Sequence, residues 1–382
     1  MGSAAFVRSA IALTLVAAVA SCSGNPSIAP SSVATQPVTA QAQTPAPSPA
    51  GPAITAYDFT YRSDLPPAPY GPVLGVASDG SVYYVDYNYG LIRFNDGAFS
   101  VLGISLGRKY ATPEGSAIVN LHTLAIDGED RIYTDAIVDG ASAYLTNVSH
   151  PKDATVQRLG SRNNAKWMGF DLSQKRLLVA EDEGLEAFDD PASAHPRHAT
   201  FNCVQGKLPC QIKMAVEGTD RHIYATNGFT LYELSESLDL ERALDMRPYV
   251  GAGCACSIAP APQGGVWFAA DQGGSQVGYV TPEGKTTAFS AKLKYPDSVD
   301  AIATAADGSV WFVGDGEQTL VKVEANGAMT KFPIDWVNPC GNNTGYCPGN
   351  AFVGTFEIGS AAHRSHNALW YLGSPNLVHI EL

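Results

Sequence analysis

Positive charge is scarce in this sequence: its 382 residues hold 24 Lys and Arg against 37 Asp and Glu, a formal net charge of −13. A chain so poor in cations can displace few phosphate counterions, which argues against nucleic acid as a partner. Charge of either sign is low, at 16% of residues, whereas Gly (37), Pro (25) and Tyr (17) are plentiful. That balance disfavours surface helices and suits strands joined by turns. Long apolar runs are missing too, since the apolar stretch Ala10 to Val19 is too short for a permanent transmembrane helix. No nucleophile elbow, P-loop, dinucleotide fingerprint or HExxH is found, which removes those ready-made catalytic frameworks.

The amino terminus reads as an address. A short region with Arg8 precedes the apolar stretch, which ends in Val19-Ala20-Ser21-Cys22. This resembles the lipobox of bacterial lipoproteins, which implies a signal peptide over 1–21 and diacylation of Cys22. The competing reading is cleavage after Ala18-Val19-Ala20, which would release a soluble exported protein. Cysteine parity favours the lipobox. Of seven cysteines, assigning Cys22 to lipid leaves Cys203, Cys210, Cys254, Cys256, Cys340 and Cys347, an even set suited to disulfides in an oxidising compartment. No charged residue lies between Arg8 and Asp58, and 22–52 is rich in Ala, Ser, Thr, Gln and Pro. Such a segment cannot build a core and is expected to be a disordered tether, with a reach of up to ~90 Å for roughly 30 extended residues.

The remaining chain is internally repetitive. A turn followed by a short β-rich run recurs as Asp79-Gly80-Ser81-Val82-Tyr83-Tyr84, Asp130-Arg131-Ile132-Tyr133, Lys175-Arg176-Leu177-Leu178 and Arg221-His222-Ile223-Tyr224. It continues as Gly264-Gly265-Val266-Trp267-Phe268, Asp307-Gly308-Ser309-Val310-Trp311-Phe312 and Ala368-Leu369-Trp370-Tyr371. The spacing of about 45 residues is that of one four-stranded propeller blade. The expectation is one all-β domain over 53–382, a seven-bladed β-propeller. Its last unit lacks a fourth strand, and Ile54-Thr55-Ala56-Tyr57-Asp58-Phe59 has the character of one. Residues 54–60 are therefore expected to complete the last blade and protect its edge.

The fifth repeat, from Gly265-Val266-Trp267-Phe268 through Gln276-Val277-Gly278-Tyr279-Val280-Thr281-Pro282-Glu283-Gly284 to Thr286-Thr287-Ala288-Phe289, resembles repeats of the virginiamycin B lyase family. These are seven-bladed propellers related to the NHL and SMP-30 types. The resemblance implies a catalytic histidine near the start of an inner strand, with glutamates nearby holding magnesium. That histidine would act as general base in an elimination that opens a macrocyclic ester.

Counting back from the repeat marker places Pro72, His122, Trp167, Lys213, Cys256 and Asp300 at inner-strand starts, facing the central channel. Only His122 supplies the histidine. A His122–Lys213–Asp300 group could form a catalytic network, or these residues could be polar channel lining. A second set, Asp86, Asp135, Glu181, Asp271 and Asp315, follows the second strand of five repeats. Converging oxygens there would suit Ca²⁺ or Mg²⁺, with Asp271 and Asp315 as candidate metal ligands. Otherwise such residues build turns by bonding to backbone.

Trp167, Tyr87 and Tyr89 are candidate ligand-binding aromatics. Cys203/Cys210 and Cys340/Cys347 share a spacing that closes local loops. Cys254-Ala255-Cys256 is a harder bridge, which either pairs elsewhere or acts as a reactive dithiol. His195-Pro196-Arg197-His198 reads as a solvated connection. The function expected first is a binding module of the cell envelope, anchored by lipid and monomeric. Its loop face would take a small molecule, a glycan or an envelope protein. The alternative is a Mg²⁺-assisted lyase or hydrolase with His122 as base.

Overall fold

The computed structural model describes residues 51–58, 74–86, 90–102, 120–138, 142–147, 156–158, 165–173, 175–181, 184–191, 196–200, 211–251, 253–271, 276–292, 299–305, 308–314, 319–333, 357–358, 368–373 and 376–382. Strand β1 (Ala53–Asp58) opens the folded unit, Ala50–Leu382. Four-strand units then follow one another along the chain. They are β2 (Leu74–Val76), β3 (Val82–Asp86), β4 (Gly90–Asn95) and β5 (Ala98–Val101), then β6 (Asn120–Ile126), β7 (Ile132–Val138), β8 (Ser142–Asn147) and β9 (Val156–Arg158). Next come β10 (Trp167–Phe170), β11 (Leu177–Ala180), β12 (Gly184–Phe188) and β13 (Arg197–Thr200), and β14 (Met214–Glu217), β15 (Ile223–Thr226), β16 (Thr230–Leu234) and β17 (Leu240–Asp245). After the one-turn helix α1 (Arg247–Val250) lie β18 (Cys254–Pro260), β19 (Val266–Asp271), β20 (Gln276–Val280) and β21 (Thr286–Ser290). The series ends with β22 (Val299–Thr304), β23 (Val310–Gly314), β24 (Thr319–Val323) and β25 (Met329–Pro333), and with β26 (Glu357–Ile358), β27 (Ala368–Gly373) and β28 (Asn376–Glu381).

Each unit is an antiparallel sheet whose sequence neighbours are neighbours in space. In the last sheet the order is β1-β28-β27-β26, so the N-terminal strand supplies the outermost position. Its register runs from Ala53 opposite Glu381 to Asp58 opposite Asn376. Phe59, expected within this strand, lies outside the described residues. The first strand of each sheet sits beside the first strand of the next, from β2 through β6, β10, β14, β18 and β22 to β26, which also touches β2. This is an all-β propeller of four-stranded blades.

Local chemistry explains the repeat. The turn between first and second strands needs a left-handed residue, supplied by Gly308 (φ 84°) in one sheet and by Asp130 (φ 62°) and Arg221 (φ 71°) in others. Both faces of an inner strand are apolar, so sheets bury them against one another. Leu178, Leu185, Ile212, Tyr232 and Leu234 form one such inter-sheet core, with Phe268, Val266, Tyr224 and Leu231 forming the next. Tyr84 lies in a further inter-sheet core with Leu74, Phe94 and Leu377. Hydrogen bonds at the repeat spacing latch adjacent sheets. The Gly265 N–H donates to Asp220 at 2.9 Å, the Leu172 N–H to Glu217 at 2.8 Å and the Ile302 N–H to Ser257 Oγ at 3.1 Å.

Candidate functional site

In an antiparallel blade, the start of the first strand, the turn between second and third, and the end of the fourth share one face. On that face Trp167 begins β10, Lys213 immediately precedes β14, and His122, Cys256 and Asp300 lie within β6, β18 and β22. The last three share a backbone feature. Register shifts between Leu121 and Leu124, between Ala255 and Ser257, and between Val299 and Ala301, so His122, Cys256 and Asp300 each fall in a β-bulge. A bulge bends its strand and re-aims the extra residue, and is often found beside a functional site. Counting from the repeat thus led to three residues that the backbone treats alike.

One part of this face lies between β14–β17 and β18–β21. Cys254 and Cys256 are joined to one another, with Cα atoms 5.2 Å apart. The bridge spans a single residue, the pairing that the sequence marks as the harder one. Strand β18 begins at Cys254, where Cys254 and Ala255 pair with Asp271 and Ala270 of β19, and Gly228 of the neighbouring sheet forms an isolated bridge with Ala255. The Ala255 N–H donates to Gly228 O at 2.7 Å, the Thr226 hydroxyl donates to Ala255 O at 2.7 Å, and the Gly228 N–H donates to Thr226 Oγ1 at 2.9 Å. Gly228 has φ 96°, and a Cβ there would meet Cys254 Cβ at 3.0 Å and Cys256 Sγ at 3.2 Å. Only glycine fits the turn and the sulfur atoms together.

Lys213 faces this pair. Its Nζ lies 3.0 Å from Cys256 Sγ and 3.7 Å from Cys254 Sγ. Cys254 is buried at 2% exposure, whereas Cys256 and Lys213 are half-buried. Beside Gly228 on the same turn stands Phe229, a large apolar side chain left 53% exposed. Asn227 shapes that turn by accepting the N–H groups of Phe229 and Thr230 at 2.9 and 2.7 Å.

The carboxylate set divides. Asp135 is fully buried and accepts the Thr123 N–H at 2.6 Å and the Thr123 hydroxyl at 2.8 Å, tying β6 to β7. Asp271 ends β19 opposite Cys254, while Asp315, Tyr87, Tyr89, Cys203, Cys210, Cys340, Cys347 and Cys22 lie outside the described residues. Trp167 packs on the core of the third and fourth sheets, its ring covering Gly169.

Among the described residues, two other groups bring three possible metal-ligand atoms within 4.8 Å of one another: Glu181, Glu186 and His198, and His222, Glu233 and Glu241. Carboxylate and imidazole donors of this kind fit a divalent cation such as Mn²⁺ or Zn²⁺. In the second group Arg242 lies 3.2 Å from Glu233, and burial pushes that carboxyl up against the pull of Arg242. In the first, His198 corrects an expectation. It is exposed, as expected, but belongs to strand β13 rather than to a connection, with Glu186 as its cross-strand neighbour and Nδ1 3.6 Å from that carboxylate. Arg197–Thr200 is too short and polar to announce itself as a strand, because an outermost strand buries little on one face.

Phe229 and the Thr226–Gly228 cradle were not singled out in the sequence. The Asn227-Gly228 pair is a turn signal that could have marked them.

No family model and no curated protein matches the sequence. Solved structures match the fold. A streptogramin B lyase superposes with a TM-score of 0.62 at 12% identity, covering 87% of this chain and 98% of its own. Virginiamycin B lyase from Staphylococcus aureus gives 0.62 at 14% identity, covering 87% and 99%. YCF48 bound to D1 peptide gives 0.53 at 9% identity, covering 86% and 94%. At these identities the likeness shows the fold alone: a β-propeller like those of the virginiamycin B lyases.

Proposed function

We propose that this chain is a lipid-anchored binding module of the cell envelope, attached through Cys22, with its sheets forming a seven-bladed ring. Its loop face engages a polypeptide. The observation that carries this reading is Phe229, 53% exposed on the turn that also cradles Cys254 and Cys256 beside Lys213. An exposed aromatic flanked by a cation is the usual composition of an interface anchor. The peptide in the YCF48 structure supports a polypeptide as the class of partner. A photo-crosslinking amino acid at position 229 in intact cells tests the reading. A discrete protein adduct is expected, with little or none from Leu240, which is equally exposed but lies on an outermost strand. Adducts from Leu240 alone, or from neither position, overturn it. Labelling with a fatty-acid analogue, lost in Cys22→Ala, tests the anchor.

The bulges favour a second reading, a metal-assisted lyase or hydrolase. His122 would be the base, with Asp271, Asp300 or Asp315 holding Mg²⁺, which would stabilise the developing negative charge. Melting of residues 51–382 in chelator, then in millimolar Mg²⁺ or Ca²⁺, separates the two. Ion at a hundred times its Kd adds about 2.7 kcal/mol, and an unchanged Tm removes the metal-assisted reading.

A further inference from the structure

We propose that Cys254 and Cys256 are a redox-active pair that accepts two electrons from a polypeptide dithiol, with Lys213 as the cation that stabilises the released thiolate. Three independent features of the structure converge on this chemistry. The first is the lysine. An ammonium 3.0 Å from Cys256 Sγ and 3.7 Å from Cys254 Sγ favours the thiolate of either sulfur over the thiol. A bridge that merely stapled the chain would gain nothing from such a neighbour.

The second feature is polarity within the pair. Cys254 is 2% exposed and Cys256 is half-buried, so one sulfur can be reached and the other is held back. Exchange needs this division between an attacked sulfur and a leaving or resolving one. The third is the backbone. Ala255 is gripped on both sides, through its N–H by Gly228 and through its carbonyl by the Thr226 hydroxyl. Both cysteines therefore keep their places when the bond between them opens. The bridge spans one intervening residue, and closing so short a loop restrains the unfolded chain little, which leaves a purely structural role weakly supported.

The reaction balances without any further reagent. A thiolate of the incoming dithiol attacks Cys256 Sγ, the Cys254–Cys256 bond breaks, and its electron pair leaves on Cys254, which takes up a proton. The partner's second thiolate then attacks the partner's own sulfur in the mixed disulfide. Cys256 departs as a thiolate beside Lys213 and is protonated in equilibrium with solvent. The partner loses two protons and two electrons and becomes a disulfide, while Cys254 and Cys256 gain both. The exposed Phe229 on the adjoining turn offers an apolar seat for such a polypeptide.

The test uses the full chain, with differential alkylation and peptide mapping to follow Cys254 and Cys256 apart from the other cysteines. Across mixtures of reduced and oxidised glutathione, the pair should pass through measurable fractions of both states. Cys254→Ser leaves Cys256 a thiol, which should attack a synthetic peptide whose single cysteine is already disulfide-bonded to a small thiol, forming a mixed disulfide at Cys256 and releasing that small thiol. In the reduced protein at pH 7, Lys213→Met should slow alkylation of Cys256 about tenfold, and Lys213→Arg should restore most of the rate at unchanged Tm. Two results overturn the proposal: a pair that stays oxidised in every glutathione mixture, or Cys256 alkylation equally fast in wild type and Lys213→Met. Neither result depends on Cys254→Ser, so poor folding of that variant does not blunt them. A protein adduct at position 229 without exchange would refute the redox proposal and leave the binding reading standing.

Discussion

Replacing Thr226 by Val removes one hydroxyl and almost no volume, which makes it the sharpest probe of the turn that shapes the site. Thr226 is fully buried. Its hydroxyl donates to Ala255 O at 2.7 Å and accepts the Gly228 N–H at 2.9 Å, so both backbone groups lose a partner in a region water does not reach. A buried polar group left unsatisfied costs about 1–3 kcal/mol, and the extra methyl of Val returns about 1 kcal/mol at most. The net loss is about 2–4 kcal/mol. For a domain of roughly 330 residues the entropy of melting is large, and each kcal/mol moves Tm by about 1.5 °C. Thr226→Val should therefore melt ~3–6 °C below wild type in residues 51–382. Thr226→Ser, which keeps the hydroxyl and loses a methyl, should fall by about 1–2 °C. A Val variant within a degree of wild type, or a Ser variant that falls as far as Val, would refute the cradle.

Deleting through Asp58 strips β1 from β28 and removes Ile54 and Tyr57 from two inter-sheet cores, so it should lower Tm and promote aggregation, whereas deletion through Pro52 should leave melting unchanged. Asp220→Ala orphans the Gly265 N–H and the buried Tyr224 hydroxyl, a loss of about 2–4 kcal/mol. In a Tyr224→Phe background the same substitution should cost about 1 kcal/mol less, and strict additivity in the melting data would contradict the latch. Burial lowers the His379 pKa below 6.5, so its folded form is the poorer proton binder. Its contribution to stability is complete above pH 6.5 and is lost as pH falls from there through the folded value. Tm measured between pH 7.5 and 5 should fall less in His379→Gln than in wild type.

The fold was legible because its repeat is written in turn chemistry. Asp307-Gly308 and Gly264-Gly265 mark the same corner in successive sheets, and Val-Trp-Phe follows each time, so spacing alone reveals the unit. The N-terminal strand was legible by subtraction, since the last unit was one strand short. The candidate positions could be counted from the repeat, but their chemistry could not be read from it. Counting led to His122, Cys256 and Asp300 without showing that all three occupy bulges, because a bulge depends on pairing with another strand. The placement of Lys213 against the Cys254–Cys256 bond needed two sheets brought side by side, a relation no local pattern encodes. His198 was misread for a related reason, because an outermost strand carries little apolar signal.

A repeat protein conceals its function in what it does not repeat. The bulge recurs in β6, β18 and β22, so it belongs to the architecture, and its backbone lies at the same face of three sheets. The residue placed there is His, Cys or Asp, so the scaffold fixes the location and leaves the chemistry free. At β18 the neighbouring sheet completes the site, with Lys213 before β14 and the Thr226–Gly228 turn after β15 both reaching across to Cys254 and Cys256. Neither the cysteines nor the lysine carries the chemistry alone. A lysine without the disulfide would be ordinary channel lining, and a bridged Cys-Ala-Cys without a cation would be an ordinary, if tight, crosslink. Redox activity of this pair thus depends on a contact between sheets, and Lys213→Met, which breaks that contact while leaving each sheet intact, is the substitution that decides it.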